Sequence, residues 1–275
     1  MQQISARLKA EGKTIGLVPT MGFLHAGHLS LVEKSKKKSD VTVVSIFINP
    51  TQFAINEDLN KYPRDIERDK KFLRKLNVDY VFIPEASEIY QENYQTYVEV
   101  EKITKILEGE FRPTHFKGVT SIVSILFNSV MPNYAFFGQK DAQQAAVIKQ
   151  MVKDLKYNVS IFISPIVREA DGLAMSSRNV YLSAAERHDA LVLSRSLKLA
   201  ENLVLSGERN TGIIISKMND MINSVKNSKL DYIKVIDSDN FTLTDRLIKN
   251  KNYYVLIACR IGSTRLIDNT LLKIR

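Results

Sequence analysis

The chain has 275 residues, room for roughly two domains, and its 44% hydrophobic and 25% charged residues match the average folded globular protein. Twelve Phe, eleven Tyr and the lack of any low-complexity tract exclude intrinsic disorder and a fibrous repeat. Lys plus Arg outnumber Asp plus Glu by 39 to 30, and a net charge of +9 suits an anionic partner, either nucleic acid or a phosphorylated small molecule.

No run approaches about 18 uninterrupted apolar residues, so no membrane-spanning helix is expected. The longest candidate, Gly118 to Met131, is broken by Thr120, Ser121, Ser124, Asn128 and Ser129. The opening MQQISARLKAEGK is too polar for a secretory h-region. The one cysteine, Cys259, permits no internal disulfide, which fits a reducing compartment. These features lead us to expect a cytoplasmic protein.

In chain order, the first apolar run is Thr14 to Pro19, followed by a stronger β-branched run from Val41 to Ile48. Tyr80–Ile83, Tyr134–Phe137 and Val159–Ile163 continue the series. Near-continuous apolar strands of this kind belong to a parallel sheet covered on both faces. Helical periodicity lies between them, over His28–Ser39, Asp65–Leu76, Gly118–Met131 and Ala142–Leu155. Such alternation predicts right-handed crossovers and a doubly wound, Rossmann-like α/β domain over residues 1–167. Ligands of such sheets bind beyond the carboxyl ends of the strands, which directs attention to the loops after Val18, Ile48 and Phe137. The run Lys34–Lys38 closes a helical pattern and reads as a solvated last turn rather than a nucleic-acid patch. Beyond residue 167 the pattern changes to two helices, Ala184–Ser206 and Thr211–Val225, then three β-like runs, Tyr232–Ile236, Tyr253–Ala258 and Thr264–Ile267. A smaller α+β domain over 168–275 is expected.

The segment Pro19-Thr-Met-Gly-Phe-Leu-His-Ala-Gly-His28 joins the first strand to the first helix. Gly22 and Gly27 allow tight turns and close approach of a ligand. His25 and His28 can face one site at a helix start, where unpaired N–H groups and the dipole favour phosphate. Imidazoles there can donate to phosphate oxygens as charge builds in a transition state. The plain alternative is a pair of structural histidines, but two of only four histidines bracket this turn. Zinc is disfavoured, since no cysteine or nearby carboxylate offers a third ligand.

Phe137-Gly-Gln-Lys-Asp-Ala-Gln-Gln144 follows another apolar strand and opens another helix. Gly138 admits a ligand to the backbone and Lys140 supplies a point charge for phosphate. Asp141 either caps the helix or accepts from a ribose hydroxyl. Gln143 and Gln144 suit a neutral or carboxylate group, and Asn49 with Gln52 forms a similar amide pair at the same sheet edge. In Arg168-Glu-Ala-Asp-Gly-Leu-Ala-Met-Ser-Ser-Arg-Asn179, two hydroxyls and an arginine suit a polyphosphate, or else a surface loop with a serine cap. Arg112 and His115 either touch phosphate or order the loop before the third helix.

Together PTMGFLHAGH, FINPTQF, KYPRD, LEGEFRPTHFKGV, FGQKDAQQ and READGLAMSSRNVYL resemble, in order and separation, the blocks of the pantoate–β-alanine ligase family of the HIGH-type nucleotidyltransferase superfamily. The likeness is close from Ile15 to Leu182 and weaker afterwards, where RLIDN (Arg265–Asn269) resembles the family's tail. It implies an ATP site built from Met21, Gly22, Phe23, Leu24, His25, Ala26, Gly27 and His28, with His28 as proton donor. Gly138, Gln139, Lys140, Asp141, Val167, Met175, Ser176, Ser177 and Arg178 match further ATP contacts, and the small domain is expected to close over that site. Gln52 and Gln144 match the glutamines that hold pantoate, with Gln52 also bordering β-alanine. Family members commonly carry Glu where this chain has Gln139. The segment before Gly12 is shorter than usual and lacks the customary opening strand.

The expected function is therefore an ATP-dependent ligase, with His25, His28 and Lys140 as catalytic residues, Mg²⁺ accompanying ATP, and a homodimer as the family state. The partners expected are ATP, pantoate and β-alanine, not nucleic acid or membrane. Two other readings are a nucleotidylyltransferase that needs no amine acceptor and a basic RNA-binding protein. The second lacks a helix that concentrates basic residues with interleaved aromatics, and its mark would be steeply salt-dependent RNA retention.

Overall fold

The computed structural model describes residues 1–54 and 57–275, in two compact units, Met1–Pro165 and Ile166–Arg275. In the first unit α1 (Gln2–Ala10) precedes β1 (Ile15–Thr20), α2 (Ala26–Lys38) leads to β2 (Val41–Ile46), and α3 (Ile66–Lys75) leads to β3 (Tyr80–Phe82). Two short helices, α4 (Ala86–Ile89) and α5 (Glu108–Phe111), come before α6 (His115–Val130) and β4 (Tyr134–Gly138). The unit ends with α7 (Ala142–Asp154) and β5 (Ser160–Ser164). Among the described residues the sheet is parallel throughout, in the order β3-β2-β1-β4-β5.

The two faces of this sheet account for its apolar strands. Ile15, Leu17, Val41 and Val43 pack on one side with Val119, Val123 and Phe127 of α6 and Ile148 and Met151 of α7. Val18, Val44 and Ile46 point to the other side, against Leu31 and Val32 of α2 and Leu73 of α3. Every residue of β2 is buried, as a strand covered on both faces must be. The lysine run is the last turn of α2: Lys36 donates to the Asn77 carbonyl at 2.6 Å, and Lys38 lies 5.3 Å from the centre of the Tyr134 ring.

The strand order reverses between β1 and β4. These two strands pair only through Gly16 with Tyr134 and Leu17 with Ala135, so they part before their carboxyl ends. That switch point is where an open α/β sheet binds its ligand, and it carries the loops Met21–His25 and Gln139–Asp141.

Some boundaries differ from the expectation. Helix α1 was not anticipated, because only Leu8 and Ser5 of its inner face are buried and two positions make no legible period. The sheet edges are β3 and β5, so among the described residues nothing before Ile15 forms a strand. Helix α6 begins three residues before Gly118, which sits inside the helix rather than starting it. Strand β2 stops at Ile46, since Asn49 starts a 3₁₀ turn at Pro50–Gln52.

In the second unit α8 (Ala184–Leu205) and α9 (Thr211–Asn223) pack on the antiparallel sheet β6 (Ser228–Asp237), β7 (Asn252–Ile261) and β8 (Thr264–Lys273). Leu193, Leu197, Ile214 and Met218 meet Val235, Val255 and Ile257 in its core. The strands outrun their apolar centres because flanking polar residues still pair in register, as Arg260 does with Arg265 and Leu256 with Asn269. Ser183 and Glu186 cap α8 reciprocally.

Candidate active site

After β1 the chain turns through Gly22 at φ +81° and Phe23 at φ +48°. Thr20 fixes the exit: its hydroxyl donates to the Ser45 carbonyl at 2.8 Å and accepts from the Gly22 N–H at 3.2 Å. Two consecutive left-handed residues make the next N–H groups converge, and both donate to Asp69 of α3, Phe23 to Oδ2 and Leu24 to Oδ1, each at 2.7 Å. His25 is then the N-cap of α2.

The two histidines cap each other. The Gly27 N–H donates to His25 Nδ1 at 3.2 Å, and the His25 N–H donates to His28 Nδ1 at 3.3 Å. Their ring centres lie 4.0 Å apart. Because each Nδ1 accepts a hydrogen bond, each neutral ring carries its proton on Nε2. Burial, with lesser contributions from the His25 ring and the Lys140 ammonium, holds His28 well below the ordinary histidine value of 6.5. His28 is thus a neutral Nε2–H donor near physiological pH.

Beside this turn stands the amide pair. Asn49 Nδ2 donates to the Gly118 carbonyl at 3.0 Å and to Gln52 Oε1 at 3.3 Å. Asn49 Oδ1 accepts from the Tyr90 hydroxyl at 2.7 Å and the Thr51 hydroxyl at 3.0 Å. That set fixes the Asn49 amide, which in turn fixes Gln52 with its oxygen toward Asn49 and its Nε2 toward Met21 Sδ at 2.8 Å. Gln52 therefore presents N–H donors, which suit an oxygen-rich acid. The backbone of Gln52 is held as well: His115 Nδ1 lies 2.9 Å from its carbonyl oxygen and Arg112 donates to the same oxygen at 3.3 Å. Arg112 also pairs with Glu57 at 2.6 Å. Of the two roles open to Arg112 and His115, these contacts are the ordering one.

At the end of β4, Gln139–Asp141 form a 3₁₀ turn leading into α7. Asp141 occupies the N-cap position but makes no side-chain cap bond; its Oδ1 lies 3.8 Å from Lys140 Nζ. The capping alternative for Asp141 is set aside. The two glutamines separate: Gln143 is buried and donates to the Ile103 and Ile106 carbonyls, both at 2.8 Å, while accepting from Glu108 N–H at 3.0 Å. Half-buried Gln144 makes no side-chain hydrogen bond among the described residues. Gln143 builds the fold and Gln144 is left available.

In the second unit the Val167 carbonyl accepts from Met175 N–H at 3.0 Å. Ser176 caps the 3₁₀ turn Ser177–Tyr181 by accepting from Arg178 N–H at 3.3 Å, the serine cap expected of this loop. Arg168 makes a bidentate pair with Asp268, at 2.7 and 3.0 Å, so the READG and RLIDN blocks meet. Among the described residues no three His, Cys, Asp or Glu side chains converge as a metal cage, and no helix is long and apolar enough to cross a membrane.

Sequence reasoning missed Asp69, Tyr90 and the packing role of Gly118. Asp69 had one faint signal, a lone carboxylate on the inner side of a helix whose later residues are mostly Lys and Arg.

Comparison with known proteins gives the family of the chain. The family described as Pantoate-beta-alanine ligase matches residues 1–271. Relatives named pantothenate synthetase include one from Pseudothermotoga lettingae, 53% identical over 99% of this chain and 96% of its own length. Another, from Thermoanaerobacter sp., is 55% identical over 98% and 95%. The pantothenate synthetase structure from Thermus thermophilus superposes with a TM-score of 0.91 at 39% identity, covering 97% of this chain and 96% of that one. A pantoate-beta-alanine ligase from Francisella tularensis, described as complexed with beta-gamma ATP and beta-alanine, gives 0.80 at 35% identity over 98% and 94%. These matches select the ligase over the nucleotidylyltransferase and RNA-binding readings: the chain is an enzyme that belongs to the pantoate–β-alanine ligase family.

Proposed function

We propose that the chain binds ATP, pantoate and β-alanine and forms pantothenate through a pantoyl-adenylate intermediate. A pantoate carboxylate oxygen bonds to the α-phosphorus of ATP, and the bond to the bridging oxygen breaks, releasing pyrophosphate. The β-alanine amine then attacks the activated carbonyl, loses a proton, and AMP leaves. A free carboxylate has no good leaving group, so the amide cannot form without such activation.

The observation that carries this reading is the reciprocally capped His25–His28 pair at the sheet's switch point, with the Lys140 charge close enough to depress His28. The neutral Nε2–H donor of His28, the His25 ring beside it and one ammonium suit an α-phosphate that gains negative charge in the transition state. Gln52, held as a donor by Asn49, suits the oxygens of pantoate, and Gln144 is assigned to the same substrate. Gly138–Asp141 of the first unit and Val167 and Met175–Arg178 of the second are assigned to ATP on the strength of the family blocks. When bound, Mg²⁺ supplies charge neutralisation on the triphosphate, an ion usually held by phosphate oxygens, water and one or two carboxylates. Incubation with ATP, Mg²⁺, pantoate and β-alanine tests the reading: AMP must appear in step with pantothenate, and ADP in its place contradicts it.

A further inference from the structure

The Asp69 carboxylate is fully buried, 0% exposed, and lies against the turn that carries the histidines. Its Oδ2 and Oδ1 each take one N–H, from Phe23 and Leu24, at 2.7 Å. Successive N–H groups that converge in this way form an anion-binding nest, and here the anion is the chain's own. A Cβ at Gly22 would lie 3.1 Å from Asp69 Oδ2 and 3.0 Å from the Ile46 methyl, so glycine lets the carboxylate approach. Its neighbour on α3, Arg68, grips the other side of the turn: Nη2 donates to the Leu24 carbonyl at 3.1 Å, and the guanidinium lies 4.6 Å from the Phe23 ring and 5.0 Å from the Phe72 ring. Helix α3 thus holds the N–H groups of Phe23 and Leu24 and the carbonyl of Leu24, the residue immediately before His25.

We propose that Asp69 is a positioning residue for the reaction: its carboxylate fills the nest of Phe23 and Leu24 and so sets the direction in which His25 and His28 present their Nε2–H groups. The proposal deepens the functional reading above and rests on it. The N–H groups of Phe23 and Leu24 are spent inside the protein, so phosphate is met further along, by the imidazoles and the start of α2. An ionised carboxylate in the interior costs desolvation, and two short hydrogen bonds to backbone N–H groups offset that cost only while the turn keeps its left-handed form. Losing the carboxylate orphans two buried donors and frees the turn to relax, which swings the imidazoles away from the α-phosphate.

The test compares the full-length wild-type enzyme with Asp69→Asn, using ATP–pyrophosphate exchange in the presence of pantoate together with NMR of ¹⁵N-labelled protein. In the folded variant the exchange rate should fall by about 10- to 100-fold, the size expected when a catalytic group is displaced by about 1 Å. The KM values for ATP and pantoate should change by less than about threefold, since substrate contacts remain. The Phe23 and Leu24 amide protons should lose their charge-assisted downfield shifts, and the His25 and His28 ring resonances should move with them. Should Asp69→Asn fail to fold, Arg68→Met keeps packing between the Phe rings, drops the donor to Leu24, and should lower exchange about 3- to 10-fold with the same KM pattern. A folded variant with wild-type exchange and unmoved histidine resonances overturns the proposal, as does a loss confined to KM. Failure of the wild-type enzyme to form AMP overturns the functional reading instead, and the NMR comparison then still reads the coupling between Asp69 and the histidines.

Discussion

The imidazole of His115 donates from Nδ1 to the Gln52 carbonyl oxygen at 2.9 Å, across 63 residues of sequence. A carbonyl oxygen can only accept, so Nδ1 carries a proton whether the ring is neutral or charged, and burial is what favours the neutral form. Burial pushes His115 down to about 4 from 6.5, with the Arg112 charge acting in the same direction.

This yields a pH dependence of stability. His115 and His28 both have folded values below their unfolded one. The unfolded chain therefore binds more protons than the folded one between about pH 4 and 6.5, and stability rises with pH through that window. It is fully present above 6.5 and lost as the pH falls. His115 alone, with a drop of 6.5 minus 4, contributes roughly 3 kcal/mol. Urea unfolding measured from pH 7.5 down to pH 4.5 should show the decline, and His115→Gln should flatten it. A slope unchanged by the substitution would count against neutral, buried His115.

Replacing His28 by Ala should leave the fold intact, because Gly22, Phe23 and Asp69 set the turn without it. Adenylate formation should fall by about two to three orders of magnitude, the usual effect of removing one transition-state donor. The acid limb of the wild-type rate profile should lie below pH 6.5, since His28 is held neutral to lower pH than a free histidine. Near-normal turnover in folded His28→Ala removes the role assigned to this ring.

The sheet and the histidine turn were legible in the sequence for the same reason. Buried parallel strands such as Val41–Ile46 leave continuous apolar runs, and a ligand-binding turn between strand and helix needs small residues and polar groups at fixed spacing. Asp69 and Tyr90 were not legible. Each acts through a contact with a residue at least 41 positions away, and a carboxylate on the inner side of a basic helix is only a faint local mark of burial. Gly118 read as a helix start because glycine is a poor helix former. Its reason is tertiary, the backbone of Thr51 and Gln52 lying against α6.

That contact predicts a defect at a distance from the chemistry. A Cβ at position 118 would sit 2.5 Å from the Thr51 carbonyl oxygen and 2.6 Å from Gln52 N, too close for either to stay in place. Gly118→Ala should destabilise the protein by about 1–3 kcal/mol, the range for overpacking, and raise KM for pantoate more than KM for ATP. Equal changes in both would mean that the Pro50–Gln52 turn does not serve pantoate in particular.

The adjacent glutamines should separate in the same way. Gln143→Ala strips three hydrogen bonds from the 103–108 segment and should lower the melting temperature. Gln144→Ala should leave the melting temperature unchanged within error and weaken pantoate binding far more than ATP binding. Calorimetry and ligand titration on both variants decide this; an exchange of the two outcomes contradicts the division drawn between them.

The central claim is that the pantoate carboxylate is activated on the α-phosphorus of ATP, next to His25 and His28. Pantoate labelled with ¹⁸O in its carboxylate tests it most directly, because the oxygen that bonds to phosphorus leaves with the nucleotide when the amide forms. Mass spectrometry of the products should find one labelled oxygen in AMP and none in pyrophosphate. Label in inorganic phosphate, with ADP as the accompanying nucleotide, would contradict the adenylate route and leave the histidine pair without its proposed function.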